Sequence, residues 1–98
     1  MAIQAVFIGI DKYYDPAIPE LNGARRDATA LWALFTDTIK GLNSQLLIND
    51  EAIHFKVKNA VLGILSNACD DDVVIITYSG HGSPDGNIIM FDTDLGDL

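Results

Sequence analysis

The run Val73 to Tyr78, within DDVVIITYSGHGS, limits the fold more than any other stretch of the chain. It is too short for a helix, apolar on both faces and β-branched at Val73, Val74, Ile75, Ile76 and Thr77, the pattern of a fully buried parallel strand. A strand buried on both faces needs a covering layer on each. The run ends at Ser79-Gly80-His81-Gly82, where the glycines permit a tight turn and a close backbone approach to a ligand. Ligands of open α/β sheets bind outside the carboxyl ends of the strands, which is where this turn presents the imidazole of His81. His81 is therefore the first candidate for chemistry, set against the plainer reading of a turn histidine that hydrogen-bonds its own loop.

The remaining pattern supplies the layers. Ala5 to Ile10 is a second apolar run, closed by Asp11 and a loop holding Pro16 and Pro19, and reads as the first and central strand. Ala24, Ala28, Leu31, Phe35 and Thr38 make one stripe of an amphipathic helix that ends near Gly41. Gln45 to Ile48 reads as a short strand, and Val57, Ala60, Val61, Ile64, Leu65 and Ala68 as a second helical stripe. With right-handed crossovers this order gives an α/β fold of three layers, α/β/α: a partial parallel sheet with helices on both faces. Gly86 to Asp92 reads as an extra strand or hairpin arm, His54 as a helix-surface residue and Trp32 as core.

This topology leaves one difficulty. With Ala5 to Ile10 in the middle, the strand Val73 to Tyr78 has a free edge, long and apolar, of the kind natural proteins cover. The expectation is a first half of a larger domain, completed by a strand beyond Leu98 or by another chain.

Composition narrows the function classes. Fourteen acidic against six basic residues give a formal charge of −8, which argues against a nucleic-acid surface and suits a cationic substrate or plain solubility. No apolar run approaches the roughly 20 residues of a membrane span, and Ala2 to Ile10 lacks the features of a signal peptide. The single cysteine, Cys69, excludes an internal disulfide framework and fits a reducing cytoplasm.

Three stretches carry a family resemblance. VFIGIDKYY, LNGARRDATALWALF and above all DDVVIITYSGHGS, in this order over nearly the whole chain, resemble the amino-terminal half of the caspase-like cysteine peptidases, and among these the metacaspases and their bacterial relatives. The resemblance implies that residues 1–98 are the amino-terminal part of such a peptidase domain, with polypeptide substrates. It makes His81 the histidine of a cysteine–histidine dyad and gives Gly82 a backbone N–H for the oxyanion of the tetrahedral intermediate. It also makes Asp27 the acid that binds an arginine or lysine side chain just before the scissile bond, with Ser79 lining the same pocket.

Leu21 stands where animal caspases carry the arginine that binds aspartate, which also argues for basic specificity. Read without the resemblance, Asp27 caps its helix or pairs with Arg25 or Arg26, Ser79 is a turn residue and Gly82 a plain turn glycine. Ala24 and Arg26 occupy positions where the family often has cysteine and asparagine.

Cys69 precedes the strand that His81 follows, so it lies at the opposite end and cannot reach the imidazole. In the family the nucleophilic cysteine follows a further strand after the histidine. These residues then hold half of a dyad, are expected to be inactive alone, and need the remainder of the domain or a complementary chain as partner. No cofactor is expected, although many metacaspases need calcium, and Asp85, Asp92, Asp94 and Asp97 could donate oxygens to it or form a solvated acidic loop. Two other classes stand beside the peptidase: a non-catalytic caspase-fold module that binds a partner near His81, and a receiver-like domain using Asp11.

Overall fold

The structure, a computed structural model, describes residues 2–94. The chain runs β1 (Ile3–Gly9), α1 (Ala24–Thr38), β2 (Asn43–Ile48), a 3-10 turn (Asn49–Glu51), α2 (His54–Asn67) and β3 (Val73–Ser79). All three strands are parallel, in the order β2-β1-β3.

The alternation of side chains along β1 divides the core between two faces. Val6 and Ile8, with Ile10 just beyond the strand, pack with Ala52 and with Val57, Ala60 and Ile64 of α2. On the other face Phe7 meets Phe35 of α1 edge-to-face at 5.6 Å, and Gly9 lies against Ala24 and Ala28. One helix therefore covers each face, and the layers are α/β/α. Phe7, Val6 and Ile10 are fully buried; burial of such a side chain stabilises by about 1.5–3 kcal/mol.

Three expectations need correction. β3 has the free edge expected of it but is not fully buried: it is an edge strand, like β2, with Val73 41% and Ile76 46% exposed. An apolar run looks the same in sequence whether its neighbours lie within the chain or outside it, and here only β1 flanks β3 among the described residues. Beside the free edge, Ile8, Val57, Val61, Ile76, Tyr78 and Met90 line part of an apolar groove of about 370 Å³. On α1 the covered stripe runs through Ala24, Ala28, Trp32 and Phe35, while Leu31 and Thr38 are exposed. Trp32 is half-buried rather than core, because its indole N–H reaches out to the Ser44 hydroxyl on β2 at 3.2 Å. Of the two readings of Gly86 to Asp92 the hairpin arm holds rather than the strand: a single antiparallel bridge joins Gly82 and Ile88 across a turn. Among the described residues no helix is long and apolar enough to cross a membrane.

Gly9 sets how closely α1 sits on the sheet. A Cβ there would lie 2.5 Å from the Ala28 Cβ and 2.6 Å from the Ala24 carbonyl oxygen, neither of which can move without shifting the helix. Gly9→Ala should lower stability by about 1–3 kcal/mol or more, seen as a fall in the urea midpoint at unchanged slope. Gly63, inside α2 with nothing within 4 Å of its added Cβ, is the matched control. Gly63→Ala should be neutral or stabilising by about 0.5–1 kcal/mol.

Candidate active site

The order β2-β1-β3 sends the chain to opposite sides of β1, so the carboxyl ends of β1 and β3 flank the point where open α/β sheets bind ligands. The two ends are joined by the Ile10 N–H, which donates to the Ser79 carbonyl at 3.0 Å. The start of α1 is brought to the same place by Asp11. Its carboxylate accepts the N–H groups of Ala24 at 2.7 Å and Arg25 at 3.2 Å, capping the helix from the residue after Ile10. Asn49 in turn accepts the N–H of Asp11 at 3.0 Å. With its carboxylate spent on the helix, Asp11 is not the open acid of a receiver-like site.

His81 is held at three points. Its ring Nε2 lies 2.8 Å from the Pro19 carbonyl oxygen, its N–H donates to the Tyr13 hydroxyl at 2.9 Å, and its carbonyl accepts the Tyr78 hydroxyl at 2.6 Å. A carbonyl can only accept, so Nε2 carries a hydrogen and the lone pair of the neutral ring sits on Nδ1. A half-buried imidazole whose orientation is fixed by one nitrogen offers the other as a base.

Gly82 follows within a short hairpin. Ser83 N–H donates to the Asn87 carbonyl at 2.8 Å and Ile89 N–H to the His81 carbonyl at 3.2 Å. Gly82 sits between these two bonds, and its own N–H takes part in neither. An added Cβ at Gly82 would meet nothing closer than the Asn87 carbonyl oxygen at 3.8 Å, an ordinary contact, so close packing does not require glycine here.

Asp27 lies in the first turn of α1, exposed, with its N–H donating to the Gly23 carbonyl at 2.8 Å. It is therefore at the same end of the sheet as His81. Among the described residues no hydrogen bond or ion pair links its carboxylate to Arg25 or Arg26, and Asp11 does the capping. Arg25 and Arg26 instead line a separate groove of about 490 Å³ with Asp11, Asn22 and Thr29. Ser79 pairs in register with Gly9, which places it on the face of the sheet that α1 covers. No hydrogen bond joins Asp27 to Ser79 or His81 among the described residues.

Cys69 is exposed in the turn before β3, with its N–H donating to the Asp72 carboxylate at 2.8 Å. The length of β3, at about 3.3 Å per residue, puts it roughly 20 Å from the His81 turn. Asp72 also accepts the Ala2 N–H, and these two donors hold its carboxyl below the usual range. The acidic run is dispersed. Asp85 bonds Ser83, and Asp92 takes the backbone N–H and the ring Nδ1 of His54 at 3.0 and 2.6 Å. Partial burial pushes Asp92 up, but the His54 contacts outweigh it and the net shift is downward. Asp97 lies outside the described residues, and among those described no three or more histidine, cysteine, aspartate or glutamate side chains come together to hold a metal ion.

The sequence reading assigned no role to Tyr13, Tyr78 or Pro19. A tyrosine at the end of an otherwise aliphatic strand was a usable signal, since a buried hydroxyl needs a partner. The Pro19 contribution is a backbone carbonyl, which no residue type announces. A family model described as caspase domain, of the C14 peptidases, matches residues 3–96. No curated protein and no solved structure matches the chain.

Proposed function

The chain belongs to the caspase-domain family of cysteine peptidases, and on that premise we propose that it carries the acid–base and substrate-recognition half of an endopeptidase cleaving after arginine or lysine. The thiol comes from a further part of the peptidase, in the same polypeptide or a complementary chain, which also pairs with the free edge of β3. His81 Nδ1 takes the thiol proton, and the thiolate adds to the scissile carbonyl carbon. The carbonyl electron pair moves onto oxygen, which accepts the Gly82 N–H. When the tetrahedral intermediate collapses, the C–N bond breaks and the imidazolium returns its proton to the leaving amine. Water, deprotonated by the same ring, then releases the acyl group. Asp27 and Ser79 receive the cationic side chain before the scissile bond. Such a thiol, like the exposed and unpaired Cys69, suits a reducing compartment such as the cytoplasm.

The observation that carries this reading is the contact of His81 Nε2 with the Pro19 carbonyl, which leaves Nδ1 as the basic nitrogen of the ring. The test is hydrolysis of fluorogenic peptides ending in arginine or lysine by the complete protein and by the 98-residue chain alone. The complete protein should turn over and lose activity on thiol alkylation, Cys69→Ala should be fully active, and the 98-residue chain should be silent. Activity of that chain that disappears with Cys69→Ala would make Cys69 the nucleophile and overturn the reading. A complete protein with no turnover would instead be a non-catalytic module of the same fold.

A further inference from the structure

The His81 turn is built around two tyrosine hydroxyls that the reaction does not itself require. Tyr13, from the loop after β1, accepts the His81 N–H at 2.9 Å, donates toward the Ile10 carbonyl at 3.3 Å, and sets its ring 5.4 Å from the imidazole. Tyr78, at the end of β3, shares its one proton between the carbonyls of His81 at 2.6 Å and Ile89 at 2.8 Å. The hydroxyls are side by side: a Cβ on Gly80 would lie 2.5 Å from the Tyr78 oxygen and 2.9 Å from the Tyr13 oxygen. Gly80 is thus glycine because two phenols pass over it, not because a ligand does. Both backbone polar groups of His81 meet phenols, one from the loop that follows β1 and one from the end of β3.

We infer that Tyr13 and Tyr78 are positioning residues that clamp the His81 backbone, so that the side chain can reach only the orientation in which Nε2 meets the Pro19 carbonyl. The inference rests on the proposed role of His81 for its catalytic consequence, but not for its geometry. Without the Tyr13 hydroxyl, the His81 N–H loses its acceptor and the turn can rotate the imidazole away from Pro19. Without Tyr78, the His81 and Ile89 carbonyls lose a common donor, and only the Ile89 N–H remains on the His81 carbonyl. Burial, with the Tyr13 hydroxyl adding to it, pushes the Tyr78 phenol far above its ordinary range, so it stays a donor wherever the protein is folded.

The variants are Tyr13→Phe and Tyr78→Phe, which keep the rings, and Gly80→Ala, which disturbs both hydroxyls from the other side. In the complete protein, nitrogen-15 shifts of the His81 ring report the tautomer, and His81 amide exchange reports the clamp. The wild type should show one tautomer, with hydrogen on Nε2. Tyr13→Phe should speed exchange of the His81 amide about tenfold, the scale of one lost hydrogen bond, and mix the tautomers. Gly80→Ala should do the same, with β1 amides unchanged as the control for folding. In the complete peptidase, Tyr13→Phe should lower kcat at unchanged KM. Unchanged ring shifts and amide exchange in both Tyr13→Phe and Gly80→Ala, with β1 intact, would overturn the clamp. A shifted tautomer in a protein whose His81→Ala form retains full turnover would uphold the clamp and remove the catalytic role of His81, so the two failures are told apart.

Discussion

Replacing His81 with alanine in the complete peptidase should lower kcat/KM for peptide hydrolysis by about 10²–10⁴-fold, the usual contribution of a positioned acid–base. The same substitution should slow alkylation of the nucleophilic thiol by a small reagent. A free thiol, with a pKa of about 8.5, is only a minor fraction thiolate near neutrality, and loss of the base removes what raises that fraction. Both losses arise from one nitrogen. Nε2 is engaged with the Pro19 carbonyl, so no second basic site on the ring substitutes for Nδ1. Replacing Pro19 should matter far less than replacing His81, since any residue there still presents a carbonyl, provided the loop keeps its path. Full-rate hydrolysis by a folded His81→Ala variant would remove the imidazole from the mechanism.

The order of elements and the double covering of the sheet were legible because the periodicity changes along the chain. Ala5 to Ile10 and Val73 to Tyr78 are apolar on both faces, whereas α1 and α2 repeat every three or four residues, the pattern of a sheet covered by helices. The central place of β1 and the free edge of β3 were legible as well, but how deeply β3 is covered was less so. Val73 and Ile76 carry the side chains of a central strand and sit at an edge, since residue type records burial in the finished domain and not which elements provide it. The shift from Leu31 to Trp32 has a similar cause: both fit an apolar stripe, and the choice follows from Ser44 lying within reach of the indole. At the site, the position of His81 followed from the strand and turn alone. Its partners did not, because Pro19 contributes only backbone, and Tyr13, in the loop after β1, reaches His81 only through β1–β3 pairing, a tertiary fact.

Asp27 carries the second large effect. Its carboxylate sits in the first turn of α1, where the helix dipole favours negative charge, and Asp11 already performs the capping that would otherwise explain an acid there. Ser79 lies on the sheet face that α1 covers, beside Gly9, and in the proposed reading a cationic side chain reaches it together with Asp27. A carboxylate facing a substrate cation makes a charge-assisted hydrogen bond, and truncating one partner of such a pair costs about 2–5 kcal/mol, roughly thirtyfold to several thousandfold in rate. Asp27→Ala in the complete peptidase should therefore collapse cleavage after arginine and lysine. Thiol alkylation should proceed at the wild-type rate, because His81 and its three holding contacts involve no atom of Asp27. Ser79→Ala should weaken the same substrates by less, since a neutral hydroxyl offers the cation a hydrogen bond but no opposite charge. Wild-type cleavage after aspartate, or full-rate cleavage after arginine by a folded Asp27→Ala variant, would reduce Asp27 to a helix-terminus charge and place basic-residue recognition elsewhere.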